Sequence, residues 1–462
     1  MTFDEKLKAR AKQEGAPIPA GFEARMDARL DTLPETAAPR KTRRAPRLAV
    51  CVGVAAAMVV GAAAAAPAVL QMAQHAIEYF DQNQHSEYAN DQGKYEQFNA
   101  AVGMSDTNGD QTLTIDNIAV DDSYLMIFST LKSEKPLELR DGEYATLSAR
   151  VKWTAPNFFA EINGELLDMS GPVETEARLV DDCTLTSVQR IALKELLPDQ
   201  FDLLLFDGGT SDISQSDFQF EMSVDKSAVA VETLTVEPKQ DFTVHFTGVN
   251  DIGDSYTVNS KPRIERVSIS PFGSTITLSE WAENPLTNFV LRDDQGNFLP
   301  VLNIGSVGGS MISRATNTFE FLGADLDTKS VTLIPYLDEG RSHEVAGSLD
   351  ALPLTDGCEN GLTLESLAVG ADKAVATFTT RGAVWQTGGS FQLTDADGNA
   401  LSFNKFAAID GYTDRETGKI IATLYYPNAT EEEAAQIAGV SFWQPDDDMV
   451  LLEEQAVTID LQ

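Results

Sequence analysis

Several short patterns in the chain carry residue types that can do chemistry. Ser129-Thr130-Leu131-Lys132 spells S-x-x-K, in which a lysine on the same helical face activates a serine nucleophile, with S-D-N and K-T-G elements nearby. Here the pattern closes a run of strand-forming residues and both companions are missing. Asp106-Thr107-Asn108-Gly109-Asp110 imitates the start of a calcium loop. Such a loop wants Gly at its sixth position and Glu at its twelfth; this chain has Gln111 and Asn117 there. The segment also leads into a strand pattern, so it reads as a turn. His343-Glu344 lacks the second histidine of a zinc-protease helix, and the other histidines, His75, His85 and His245, are scattered. The acidic runs Glu431-Glu432-Glu433 and Asp446-Asp447-Asp448 offer hard oxygen donors. A run alone does not make donors converge, so these read as solvated loops or a helix start. No residue is assigned here as catalytic, cofactor-binding or metal-binding, and an enzyme is not expected.

Cysteine usage adds little chemistry. Cys51 lies in an apolar stretch, while Cys183 and Cys358 lie far apart in the remainder. Three cysteines do not form a disulfide framework. A Cys183–Cys358 bond is permitted by an oxidising compartment but not required by it. Sequence spacing shows neither a CxxC pair nor a Cys/His cluster of zinc-site type.

The elements that would position any site are divided by Leu48–Leu70, a stretch without a charged residue. Roughly 20 apolar residues at about 1.5 Å rise each span a bilayer. Arg40, Lys41, Arg43, Arg44 and Arg47 precede the stretch, and the next Lys or Arg after it is Lys94. That asymmetry predicts a single transmembrane helix in the cell membrane, with a cytoplasmic N-terminus and an extracellular C-terminal body. About 47 residues before the apolar core are too many for a secretory signal peptide. Residues 1–47 hold 11 Lys/Arg and 7 Asp/Glu, a net of +4, whereas residues 71–462 hold 23 and 64, a net of −41. A body so acidic repels nucleic acid.

The inner tail, 1–47, reads as helical. Thr2-Phe3-Asp4-Glu5 is a capping box, and Gly15, Pro17 and Pro19 interrupt the helix that follows. A second helix fits Ala20 to Leu33, with Phe22, Met26, Leu30 and Leu33 on one face. Such a stripe must be covered: by a partner protein, by the inner membrane surface, or not at all in a frayed tail.

Residues 71–104 read as a juxtamembrane helix and spacer. From Thr112 the chain alternates apolar and polar residues between frequent turns, which predicts a mainly β body. Three strand–turn–strand units recur: Thr114–Val120 with Tyr124–Thr130, Ile264–Ser270 with Thr275–Leu278, and Leu364–Val369 with Ala374–Phe378. The last two are each followed by a strand running into Asp-x-x-Gly-Asn, at Asp293–Asn297 and Asp395–Asn399, a hairpin signal. Modules at 105–240, 241–350 and 358–462 repeat at roughly 100 residues, the size of an immunoglobulin-like β-sandwich. In the first module, Phe218 to Val224 alternates like a half-exposed strand, and Phe201–Phe206 (FDLLLF) reads as a strand buried on both faces.

Three segments resemble a known family: Asp106 to Lys132 (DTNGDQTLTIDNIAVDDSYLMIFSTLK), FEMSVDKSAVAVETLTVEPKQDF from Phe220, and PRIERVSISPFGSTITL from Pro262. They are similar to single-span membrane proteins of Gram-positive bacteria with an outer domain of unknown function followed by an immunoglobulin-like domain. That family resembles membrane-bound anti-sigma factors. The resemblance implies an extracellular sensing body, an unidentified outer ligand, and a tail that holds a cytoplasmic sigma factor. Many anti-sigma factors carry a zinc-binding His/Cys motif in the inner domain, and residues 1–47 contain no His or Cys. Binding would therefore fall to the Phe22, Met26, Leu30 and Leu33 face. The alternative is a surface-binding or adhesive protein whose tail is only an anchor.

Overall fold

The computed structural model describes residues 100–462 except 141–146, 170, 209–210, 227–232, 250–254, 271–272, 282–285, 287, 308–313, 338–341, 371, 385–389, 402–407, 415–416, 427–428 and 447–448. The tail with Phe22, Met26, Leu30 and Leu33, the apolar stretch 48–70 and most of the 71–104 spacer lie outside the described residues. Among the described residues no helix is long and apolar enough to cross a membrane.

The described chain is mainly β. In the first unit, β1 (Ala100–Asn108), β2 (Gln111–Val120), β3 (Tyr124–Ser133), β6 (Val173–Asp181) and β7 (Thr184–Ala192) form a sheet of order β1-β2-β3-β7-β6. Strands β4 (Phe158–Ile162), β5 (Glu165–Leu166), β8 (Gln200–Asp207) and β9 (Gln219–Asp225) form the other, β5-β4-β8-β9, and helix α1 covers Leu147–Thr154. Alternation puts one face of each sheet inward. Leu113, Ile115, Leu125 and Ile191 from one sheet meet Phe158, Leu203, Leu205 and Phe220 from the other in a single core.

The second unit repeats this plan. β10 (Leu234–Val236), β11 (Gln240–Asp241), β14 (Arg263–Ile269), β15 (Ser274–Glu280), β18 (Val301–Val307) and β19 (Ala315–Phe321) form a sheet of order β10-β14-β15-β19-β18, with β11 also on β14. β12 (Val244–Val249) and β13 (Ser255–Ser260) pair as a separate hairpin, and β16 (Phe289–Asp293), β17 (Phe298–Leu299) and β20 (Ser330–Leu337) build the facing sheet. Phe289 and Phe319 meet edge to face across the core, 4.7 Å between centroids.

In the third unit, β22 (Gly361–Val369), β23 (Lys373–Arg381), β25 (Ala408–Thr413) and β26 (Ile420–Tyr425) run in the order β22-β23-β26-β25. The opposing sheet is β21-β27-β24, made of β21 (Ser342–Ser348), β24 (Gln392–Thr394) and β27 (Gly439–Pro445). Helix α2 (Glu431–Ala434) starts at a capping box: Glu433 N donates to Thr430 Oγ1 and Thr430 N to a Glu433 carboxylate oxygen. Strands β28 (Val450–Leu451) and β29 (Val457–Asp460) then return to the second unit, where both pair with β20. Ser342–Ser348, which the linear reading places in the second module, thus completes the third unit. Val457–Asp460, placed in the third, completes the second. The return buries Ile459 and Leu461 in the second core, worth about 1.5–3 kcal/mol for each large aliphatic side chain.

The three repeats share more than strand order. In each, the first strand pair carries a one-residue bulge at an acid: Asp116, Glu265 and Glu365. Each acid accepts from a hydroxyl 14 residues later on the neighbouring strand: Thr130 at 2.7 Å, Ser279, and Thr379 at 2.8 Å. A bulge leaves one residue out of the ladder and re-aims its side chain, here onto the adjacent strand. The Asp-x-x-Gly-Asn hairpins also match contact for contact. Asp293 Oδ1 accepts from Gln295 N and Asn297 N, and Asp395 Oδ1 from Asp397 N and Asn399 N. Gly296 and Gly398 sit at φ +92° and +83°, where a Cβ would be strained.

Two local expectations need adjustment. β8 buries Phe201, Leu203 and Leu205 but exposes Asp202 and half-exposes Leu204. It is therefore buried on both faces only toward Phe206, which stacks on Phe159. β1 begins at Ala100, inside the stretch read as spacer.

Candidate functional site

The sequence-derived chemical patterns fall in structural roles. Asn108 pairs with Gln111 across a two-residue turn in which Gly109 has φ +64°, so Asp106–Asp110 forms the β1–β2 hairpin. Ser129 is buried on β3, its hydroxyl 2.8 Å from that of Ser187. Cys183 and Cys358 are not joined in a disulfide.

What the structure assembles instead is a cluster from four separate segments of the third unit. β21 alternates, turning His343 and Val345 to one side and exposing Ser342, Glu344 and Ala346. Pairing with β27 sets His343 opposite Gln444, two residues before Asp446. The stretch entering β22 folds as a tight turn at Asp356-Gly357-Cys358. Cys358 N donates to Asp356 Oδ1 at 2.9 Å, and Gly357 adopts φ +80°. β23 delivers Arg381, opposite Gly361.

These placements bring His343 Nε2 to 3.0 Å from Asp356 Oδ2 and His343 Nδ1 to 2.7 Å from Asp446 Oδ1. Arg381 Nη2 donates to Asp356 Oδ1 at 2.7 Å, and Nη1 donates to the Cys358 carbonyl. Burial pushes the Asp356 carboxyl up, but hydrogen bonds from the Cys358 thiol and amide and from Arg381 outweigh it and hold it at about 2. Donor atoms of His343, Asp356 and Cys358 all lie within 4.8 Å of one another. The set N, O and S is one that a divalent transition metal accepts. Sequence reasoning missed this cluster because its members are 13, 2 and 88 residues apart in succession along 343, 356, 358 and 446. The one local signal is the Asp-Gly-Cys turn.

A second constellation lies where the first and second units meet. The β2–β3 turn (Asp121, Ser123, Tyr124) and the end of β7 (Arg190, Leu193) face the β14–β15 pair and β19. Asp121 Oδ1 accepts from Ser123 N and Tyr124 N at 2.6 and 2.8 Å, while Ser270 Oγ donates to its other oxygen. Burial pushes the Asp121 carboxyl up to about 6. Arg190 pairs with Glu320 and stacks over Tyr124, 4.0 Å from the ring centre. Arg266 Nη2 donates to the Leu193 carbonyl, and burial pushes its pKa down. Lys226 Nζ and Thr233 Oγ1 both donate to Asp122, at 2.5 and 2.9 Å, joining the end of one unit to the start of the next. These contacts are largely withdrawn from solvent, so they build a fixed joint rather than an open binding cleft.

Comparison with known proteins gives a partial likeness. A family profile described as "Domain of unknown function (DUF4179)" matches residues 40–133. That stretch runs from the basic flank through the apolar segment to the end of β3. No curated protein matches the chain. A solved structure described as the conserved domain protein from Bacillus anthracis aligns over 80% of this chain and 93% of its own, at 12% identity and TM-score 0.34. A likeness at that level carries no argument. The chain therefore contains a segment similar to a domain of unknown function, followed by a larger β-rich body.

Proposed function

We propose that the chain is a membrane-anchored regulator resembling an anti-sigma factor. Residues 48–70 cross the cell membrane once. The acidic body, built of tandem immunoglobulin-like β-sandwiches, binds or senses an extracellular ligand. The cytoplasmic tail restrains a sigma factor through Phe22, Met26, Leu30 and Leu33. The observation that carries this reading is the extent of the 40–133 match. One family unit takes in the basic flank, the apolar stretch and the first strands of the body. Charge supports the same orientation, with a net of +4 on residues 1–47 and −41 on 71–462.

The test uses the detergent-solubilised full chain as bait in lysate of the source cells, read by mass spectrometry. A Phe22→Glu, Met26→Glu chain is the control. Enrichment of a sigma factor by the native chain, and its loss with the control, is the expected result. Recovery of the same proteins by both chains would sink the regulatory reading and leave the tail as an anchor for a surface-binding or adhesive protein.

A further inference from the structure

We propose that His343, Asp356 and Cys358 bind a divalent transition metal, with zinc the best fit to the donor set, and that Asp446 orients the histidine ligand.

The argument begins at the imidazole. A carboxylate oxygen 2.7 Å from Nδ1 takes a hydrogen bond from that nitrogen, which makes Nδ1 the protonated position. Nε2 then presents its lone pair to Asp356 Oδ2 at 3.0 Å. Two acceptors at that distance need a positive centre between them, either a second proton or a metal. The Cys358 thiol belongs to the same cluster, with its sulfur within 4.8 Å of a ring nitrogen of His343 and a carboxylate oxygen of Asp356. The thiol already donates to Asp356; a metal replaces that proton and takes the sulfur as a third ligand.

Geometry and charge agree with this. Tetrahedral zinc with bonds of about 2.0–2.3 Å sets neighbouring donors roughly 3.3–3.8 Å apart. The Nε2–Oδ2 pair is within a few tenths of an ångström of that spacing, and Cys358 closes from at most 4.8 Å, a movement of about 1–1.5 Å. A carboxylate, a thiolate and a neutral imidazole sum to −2, which a divalent ion cancels. Outside that set, Arg381 and Asp446 cancel each other. The outer contacts are those of a supported site: a carboxylate behind the histidine, and a guanidinium with an amide behind the ligating carboxylate. His343 is 36% exposed at its side chain, which leaves an entry path and room for water as a fourth ligand. The site lies wholly in the third unit and does not depend on what the tail binds.

The test titrates the full chain, chelator-stripped and reduced, with Zn2+ and Co2+. Expected are one tightly held metal per chain, a thiolate-to-cobalt charge-transfer band, and metal protection of Cys358 but not Cys183 from maleimide. The thiolate band separates this site from loose cation binding by the acidic surface. Cys358→Ser should abolish the band, and His343→Asn should weaken binding at least 100-fold. Asp446→Asn, which removes no ligand, should weaken it about 10–100-fold. It also serves as the second variant should His343→Asn fail to fold. The proposal is overturned if the native chain shows no thiolate band, or if Cys358→Ser binds metal as the native chain does.

Discussion

Arg190 of the first unit and Glu320 of the second form an ion pair whose side chains are 1% and 0% exposed. Tyr124 lies over the guanidinium, and Gly273 leaves the space that the pair occupies. A Cβ on Gly273 would sit 2.8 Å from Glu320 Oε1 and 3.0 Å from Tyr124 Cε2. The two units are therefore joined by a charge pair that water does not reach.

Removing Glu320 leaves the buried Arg190 guanidinium with only the partly exposed Glu174, 3.6 Å away, at a cost of up to about 3–5 kcal/mol. Glu320→Ala should lose stability on that scale in denaturant titration. A double variant, Arg190→Met with Glu320→Leu, should recover much of the loss, because it also removes the desolvation cost. If Glu320→Ala costs less than about 1 kcal/mol, the pair is not buried as described.

Asp121 makes the same joint pH-dependent. Its carboxyl is raised from 3.8 to about 6 by burial, so the folded chain binds this proton more tightly than the unfolded chain. Its contribution to stability is therefore largest below pH 4 and falls as pH rises through about 6. The gap corresponds to about 3 kcal/mol. Asp121→Asn keeps an oxygen for the Ser123 and Tyr124 amides and an amide for Ser270. It should be as stable as the native chain or more so at pH 8, with a flatter stability profile between pH 4 and 6. An unchanged profile in that variant would assign the pH dependence to other groups.

Backbone contact closes the joint. A Cβ on Gly305 would collide with the Gly171 carbonyl carbon and Cα, and backbone cannot yield as a flexible side chain can. Gly305→Ala should cost at least about 1–3 kcal/mol. In calorimetry it should pull apart the unfolding transitions of the first and second units. A single unshifted transition would contradict the contact.

The bulge acids should differ by burial. Thr130→Val removes a partly buried hydrogen bond to the Asp116 carboxylate and should cost about 1.5–3 kcal/mol. Thr379→Val removes the exposed equivalent to Glu365 and should cost less than about 1 kcal/mol. Equal losses in parallel denaturation curves would mean that burial does not set the value of this repeated contact.

Much of the β architecture is legible in the sequence because its causes are local. Alternation at Thr114–Val120, Ile264–Ser270 and Leu364–Val369 places the three strand pairs, and Asp-x-x-Gly-Asn specifies two hairpins through side-chain bonds that span only four residues. Thr430 to Glu433 likewise carries its own helix start. Tertiary structure alone decided what depends on distant segments. Strand pairing in a sheet does not record chain order, so Ser342–Ser348 and Val457–Asp460 could complete each other's expected units. The charge on Arg190 is met by Glu174 on the neighbouring strand and by Glu320, 130 residues away in the next unit. His343, Asp356, Cys358 and Asp446 look like unrelated residues until β21, β27 and the turn before β22 converge. Periodicity and turn chemistry act over a few residues, whereas a joint or a ligand set is defined by which surfaces come together on folding.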